Sequence, residues 1–441
     1  MKILHTVELY SPSVGGAQEV VKQISERLAA RGHQVTVATT YNPKRQSRLI
    51  NGVQVEQFNI SGNAVRGFTG EIESYQDFLK QGKFDIMMNY AAQQWATDLV
   101  YPILDQIPYK KILIPCGFSG LYMPEYAEYF KMLPAILEKY DHLAFHADDY
   151  RDANFARQHG INRWSIMPNG ASFDEFSIVD STFRDRYGIP SDAIMLLTVG
   201  SHTGSKGHGL ALEALKKISA DGSKVFLVII GNILNPFSKW KSIKIQLDTW
   251  RNNFWPLFRL LQKRKLKILF SRIVDLVKPL FWGGLYVSGC VQDCNMRANR
   301  INIMRDRNKR VLLLNPPRAD VVAAYHASDL FIFGSNIEYS PLVLFEAMAS
   351  KTPFLTLACG NAAEIVAWGK GGKIASTIKL EQGMVDGDPE VFAHEITAML
   401  ENKAELSMLA QNGYAAWQEK FTWEKIVVQY ENLYQNLVKE K

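Results

Sequence analysis

The fold class legible in this sequence is α/β, built as two doubly wound parallel sheets, and three observations lead to it. Short apolar runs alternate with segments of helical periodicity along the chain. The alternation comes in two series, separated by the turn-rich stretch SIMPNGASFDEF at 165–176. The chain has 441 residues, 47% of them hydrophobic, and that length is ordinarily divided among two or three domains with large cores.

The first series opens with KILHTV at 2–7, a short apolar run followed by a glycine-bearing turn. From Gly16 to Arg31 the apolar residues Val20, Val21, Ile24, Leu28 and Ala29 recur at helical spacing, and Gly32 stops the helix. QVTVATT at 34–40 is the next strand. A strand–helix–strand unit of this kind implies a parallel pair joined by a right-handed crossover. Further strands are expected at 53–58, 84–89, 111–115, 142–145 and 164–167. The second series begins at 194–200 (IMLLTVG), with a helix at 208–219 and a strand at 224–230. It resumes with a strand at 311–314, a helix near 319–327 and a strand at 329–334, and runs to about residue 418. Residues 236–310 break the alternation and are expected to form an insertion. In paired sheets of this kind ligands sit at the carboxyl ends of the strands, hence in the cleft between the domains.

The cysteines, Cys116, Cys290, Cys294 and Cys359, are too few for a disulfide framework in a chain this long. Cys290 and Cys294 suit one helical face, but a metal site needs two more ligands and none lies nearby in sequence. Reduced thiols, with no metal and no cofactor, are therefore the expectation. MKILHTVELYSPSVGG has one lysine and only a short apolar run, unlike a secretory signal. No stretch approaches ~18 uninterrupted apolar residues, so no membrane-spanning helix is expected.

The most informative passage is GSNIEYSPLVLFEAMAS at 334–350. A strand ends near Gly334; Ser340 before Pro341 suits a helix N-cap followed by the first helical position. The backbone from Ser340 through Pro341 and Leu342 then presents a helix N-terminus, where free N–H groups and the macrodipole favour phosphate. Glu338 lies in the loop before the helix and Glu346 more than a turn inside it, so the two are not a close acid pair. One can reach a sugar and the other a ribose, with a diphosphate between them.

This segment resembles the Glu-x7-Glu motif of retaining GT-B glycosyltransferases of family 4, with Glu338 first and Glu346 second. Other motifs extend the resemblance over most of the chain outside the insertion. Ser13-Val14-Gly15-Gly16-Ala17 is similar to that family's glycine loop, Pro168-Asn169-Gly170 to its interdomain motif and Lys206-Gly207-His208 to its Lys-Gly-His. Phe421-Thr422-Trp423 resembles the start of a last helix that crosses back to the first domain. The resemblance implies an acceptor-side domain at 1–170, a nucleotide-sugar domain at 171–420 and a crossing helix at 421–441. It also implies a same-face reaction with retention, in which the leaving diphosphate helps deprotonate the acceptor.

On this reading Gly15 and Gly16 let the backbone approach a diphosphate, as do Gly200 and Ser201 at the end of the second domain's first strand. Lys206 places a fixed cation on the departing diphosphate, where charge develops as the glycosidic bond breaks. Glu338 holds the sugar hydroxyls and Glu346 the ribose. Lys206 and the helix N-terminus supply the charge that the phosphates need, so no metal is required. Two departures follow. The family's arginine after Gly200 is absent from Val199-Gly200-Ser201-His202, leaving His202 or Arg318 as substitutes. The family's first-domain histidine is absent from Ile114-Pro115-Cys116-Gly117-Phe118-Ser119-Gly120, and His142 and His146 are expected to be structural.

The net charge of +6 is concentrated in one place. Residues 236–310 hold 17 Lys+Arg against 4 Asp+Glu, and the remainder 33 against 40. The segment also carries Trp240, Trp250, Trp255 and Trp282. From 264 to 278, Leu266, Leu269, Phe270, Ile273, Val274, Leu276 and Val277 share one helical face, opposite Arg264, Lys265, Lys267, Arg272 and Lys278. Such a helix suits an anionic membrane surface, which implies a cytoplasmic protein peripheral to the inner face of the cell membrane and a lipid-linked or glycan acceptor. Fold alone also admits a nucleotide-sugar epimerase or a phosphorylase, but the context of Glu338 and Glu346 favours transfer. The basic, tryptophan-rich insertion admits nucleic-acid binding. Nothing in either series resembles a nucleic-acid module, so no nucleic-acid partner is expected.

Overall fold

The computed structural model describes residues 1–219, 222–231, 284–304 and 308–440. Its strands are β1 (Lys2–Thr6), β2 (Gln34–Thr40), β3 (Leu49–Ile50), β4 (Val53–Phe58), β5 (Ile60–Asn63), β6 (Gly67–Gly70), β7 (Ile86–Tyr90), β8 (Lys110–Ile114), β9 (His142–Phe145) and β10 (Trp164–Ile166) in the first half. In the second half they are β11 (Ile194–Val199), β12 (Val225–Ile230), β13 (Lys309–Leu314), β14 (Leu330–Phe333), β15 (Phe354–Thr356), β16 (Gly372–Ile374), β17 (Ile378–Lys379) and β18 (Val385–Asp386). The first sheet has the order β10-β9-β8-β7-β1-β2-β4-β3 and the second β13-β12-β11-β14-β15-β16. All pairs are parallel except the edge pair β3–β4. Two small antiparallel ribbons, β5–β6 and β17–β18, escaped the sequence reading.

Burial on both faces explains why these strands read as continuous apolar runs. Alternate residues of one strand feed opposite cores. Ile86 and Met88 join the layer under the helix Gly16–Ala30, while Met87 joins the layer on the other face. The second sheet is enclosed in a separate core of its own.

The last helix, Trp423–Lys439, leaves the second core and completes the first. Trp423, Ile426, Val427, Tyr430 and Tyr434 pack with Val20, Ile24 and Leu28. Arg27–Glu424 at 2.7 Å and Arg31–Glu431 at 2.5 Å tie the two helices together. The turn into this helix bridges to the interdomain motif, with Ala171 paired to Thr422 and Trp417 Nε1 donating to the Ala171 carbonyl at 3.1 Å.

One expected boundary moves. The helix Gly284–Ile303 is the crossover between parallel neighbours β12 and β13, and Lys309 and Arg310 already belong to β13. The segment 236–310 therefore ends in ordinary elements of the second sheet. Arg297 in that helix pairs with Glu213 at 3.0 Å, so part of the basic excess is spent on packing. The amphipathic stretch 264–278 and the four tryptophans lie outside the described residues. Among the described residues, no helix is long and apolar enough to cross a membrane.

Candidate active site

In the second sheet β11 has β12 on one side and β14 on the other. The crossovers reverse direction there, and an open α/β sheet leaves a crevice at that point beyond the strand ends. The two loops that border it carry Lys206, after β11, and Glu338, after β14. Their side chains meet, with Lys206 Nζ 2.6 Å from Glu338 Oε1.

Backbone contacts explain how the two loops hold this register. Asn336 N donates to the Ser205 carbonyl at 2.8 Å, and Ser335 Oγ lies 2.8 Å from Glu338 Oε1 and 3.0 Å from the Ser205 carbonyl. Gly207, at φ 73°, caps the helix His208–Lys217, and a Cβ there would lie 2.0 Å from the Gly334 carbonyl oxygen. A left-handed residue at such a close approach has to be glycine, which gives the glycine of Lys206-Gly207-His208 its physical reason. A similar argument holds at Gly360, where a Cβ would sit 2.4 Å from the Tyr339 carbonyl oxygen.

Glu346 has a cation of its own. Arg318, at the start of the helix Arg318–Ala327 after β13, reaches Glu346 at 2.7 Å and Glu175 at 2.8 Å. Glu346 is buried, so its charge needs that partner. Arg318, a possible source of charge in place of the missing arginine, is thus paired with two carboxylates in this structure and placed to orient Glu346.

Two further expectations are corrected. His202 does not face the crevice as a substitute for the missing arginine; it is buried, its Nδ1 3.3 Å from Nδ1 of His208. Ser340 is not the N-cap: Pro341 occupies that position with ψ 112°, and the helix is Leu342–Ala349. The residue before a proline is pushed out of the helical region, so Ser340 stays in the loop. Among the described residues its Oγ is buried with no partner, and no side chain caps the helix.

The first sheet supplies the opposite wall. It too has a reversal point, between β1 and β7. Gly15 and Gly16 follow β1, with Gly15 capping the helix Gly16–Ala30. Ala91 and Gln93 after β7, and Cys116 and Phe118 after β8, have φ between 49° and 67°. Such left-handed non-glycine residues are costly and cluster at functional sites. His142 and His146 are structural, as expected: His142 Nε2 meets Ser165 Oγ, and His146 bonds Tyr90 and the Met167 carbonyl. Burial lowers the His146 pKa to about 4, so the ring is neutral.

The seam that joins the walls is not visible in the sequence. Tyr150 Oη donates to the Glu338 carbonyl at 2.6 Å, and the His146 amide donates to Tyr339 Oη at 2.9 Å. Asn169, of the interdomain motif, donates to the Ser340 carbonyl at 3.0 Å. Behind this lies Asp152, fully buried, accepting from Gly117 N at 2.9 Å. Burial pushes its pKa up to about 6, against hydrogen bonds from Tyr339, Gly117 and Ala153 that favour the anion. The aromatic pair Tyr150–Tyr339 brackets Gly117. These contacts join residues far apart in sequence, and no local pattern announces them.

Residues 304–416 match the family described as Glycosyl transferases group 1. Among solved structures, sucrose-phosphate synthase from Thermosynechococcus elongatus superposes with a TM-score of 0.68 at 18% identity, covering 100% of both chains. HepE of Anabaena, in complex with UDP and glucose, gives 0.66 at 14% identity, covering 99% of this chain and 100% of that one. WaaG, a glycosyltransferase involved in lipopolysaccharide biosynthesis, gives 0.56 at 16% identity over 98% and 99%. No curated protein sequence matches this chain. The fold is GT-B, and with the family match over 304–416 the chain is classed as an enzyme, a glycosyltransferase.

Proposed function

We propose that the protein is a retaining glycosyltransferase of family 4 that moves a sugar from a nucleotide-diphosphate sugar to a lipid-linked or polysaccharide acceptor in cell-surface glycan biosynthesis. The observation that carries this reading is the meeting of Lys206 and Glu338 at the reversal point of the second sheet, beside the uncapped N-terminus of Leu342–Ala349. Residues 171–420 bind the donor and residues 1–170 face the acceptor. Lys206 neutralises the leaving diphosphate; its bond to Glu338 orients it before the donor arrives. Glu338 takes the sugar hydroxyls, and Glu346, oriented by Arg318, takes the ribose. Backbone groups of Gly15, Gly16, Gly200, Ser201 and Ser340–Leu342 line the phosphates and sugar. No covalent intermediate forms on the enzyme: positioning and fixed charge lower the barrier.

A neighbouring fold solved with UDP and glucose supports a nucleotide-sugar donor. WaaG's involvement in lipopolysaccharide biosynthesis supports a surface-glycan acceptor. The basic character of 236–310 supports attachment to an anionic membrane surface on the cytoplasmic side. The test is a panel of nucleotide sugars screened by thermal shift, then nucleotide release with and without a glycan or lipid-linked acceptor. NMR of the first-formed product should show the donor's anomeric configuration. An inverted anomer, or no donor in the panel that raises stability, would defeat the proposal.

A further inference from the structure

The same loop that presents Lys206 carries a second cluster on its inner side. His202 and His208 stand at its two ends, and the helix Gly284–Ile303 brings Cys290 and Cys294 against them from a remote part of the sequence. One ring nitrogen from each histidine and both sulfurs all lie within 4.8 Å of one another. His202, His208 and Cys294 are buried, and Cys290 is half-buried. Two histidines and two cysteines converging on one point are the donor set of a closed, four-coordinate metal site.

Two of the spacings fit that chemistry. Tetrahedral Zn–S bonds of about 2.3 Å place two sulfurs about 3.8 Å apart, and Zn–N bonds of about 2.0–2.1 Å place two nitrogens about 3.3–3.4 Å apart. The Cys290 and Cys294 sulfurs are 3.8 Å apart, and the two Nδ1 atoms 3.3 Å. A disulfide would need about 2.05 Å between the sulfurs. Cys-x3-Cys is one helical turn, so both thiols point the same way, and His-x5-His spans the loop that Gly207 and Gly334 pin to β14. An N2S2 set of this shape selects zinc over the harder divalent cations.

We propose that His202, His208, Cys290 and Cys294 form a structural zinc site that staples the helix returning from residues 232–283 to the loop bearing Lys206. On binding, the two S–H bonds are replaced by Zn–S bonds and two protons go to solvent, while the imidazoles bind neutral and no electrons change hands. Four protein ligands leave no open position, so the metal positions the loop and takes no part in group transfer. Gly231, the last described residue before 232–283, also touches this cluster, its Cβ position 3.2 Å from His202 Cδ2. The proposal stands on these residues alone and does not depend on the sugar chemistry.

The test is metal content. The full chain, purified without a polyhistidine tag, incubated anaerobically with zinc chloride and desalted, should retain about one zinc per chain by elemental mass spectrometry. Cobalt(II) in place of zinc should give the sulfur-to-cobalt charge-transfer band and the intense visible bands of a tetrahedral thiolate site. The Cys290→Ser/Cys294→Ser variant should lose both signals. If that variant does not fold, the cobalt spectrum of the wild type decides, since it reports ligand type and geometry directly. Substoichiometric zinc, a weak octahedral cobalt spectrum or metal retained by the double variant would each overturn the proposal. So would a wild type isolated without metal whose Cys290 and Cys294 are joined as a disulfide.

Discussion

The two sheets open a crevice by the same topological device, between β1 and β7 in the first and between β11 and β14 in the second, and they line it differently. The second is bordered by charge pairs, Lys206 with Glu338 and Arg318 with Glu346. The first is bordered by Gly15, Gly16 and a set of left-handed residues, Ala91, Gln93, Cys116 and Phe118, with the buried Asp152 behind them. Fixed charges suit a ligand whose charge changes during reaction, here a leaving diphosphate. A strained, weakly charged wall suits recognition by shape, and loops of this kind are where related proteins diverge.

Substitutions can break this contrast. The largest effect belongs to Lys206→Ala, which should lower kcat by about 10²–10³-fold, as for removal of one transition-state charge stabiliser, with KM changed much less. Steady-state kinetics with a saturating acceptor decide it, and near-normal turnover would remove the charge from its assigned role.

Asp152→Asn probes the first crevice. The folded-state pKa of Asp152, about 6, lies above its unfolded value. Its contribution is therefore fully present below the unfolded pKa near 3.9 and is lost as pH rises through about 6, up to about 3 kcal/mol in all. Asp98, also raised to about 6 by burial, acts in the same direction, so the comparison is between variant and wild type. Urea denaturation from pH 4 to 8 should show a shallower loss of stability in the variant, and parallel curves would refute the assignment.

A smaller effect is expected from Glu346→Gln, which should weaken donor binding about tenfold or somewhat more by calorimetry while leaving the chemical step close to normal. Arg318 keeps Glu175 as a partner in that variant, so the fold should survive. The smallest effect is expected at the crossing helix. Glu431, with its pKa depressed by hydrogen bonds from Arg31 and His33 despite some burial, contributes stability above its unfolded pKa and loses it as pH falls through the folded value. Glu431→Gln should cost about 1 kcal/mol at neutral pH and leave kcat unchanged. A change in kcat would mean that the crossing helix shapes the site more than its distance in the fold implies.

Much of this architecture was legible because parallel strands buried on both faces cannot avoid apolar runs. Strands such as Gln34–Thr40 and Val53–Phe58 fall where the sequence reading put them. The loop positions of Lys206 and Glu338 and the helical position of Glu346 were legible because their neighbours Gly207 and Pro341 mark the loop and helix that carry them. The end of the insertion was misplaced for a physical reason: β13 is the edge strand of its sheet and carries Lys309 and Arg310. Charged residues are common on sheet edges, and there they imitate an irregular basic segment. His202 was misread because its sulfur partners belong to another element. The seam of Tyr150, Tyr339 and Asp152 exists only once both walls are folded.

The crossing helix has a consequence for how the protein is made. A ribosome releases residues 1–170 with one face of the first sheet's core still lacking Ile426, Tyr430 and Tyr434. Those residues emerge roughly 250 positions later, a delay of about 10–50 s at ordinary elongation rates. For that interval the helix Gly16–Ala30 stands beside an open apolar groove. The nascent first half must therefore be shielded by a chaperone or wait loosely ordered, and a message cut short before codon 423 yields a chain that can finish only its second core.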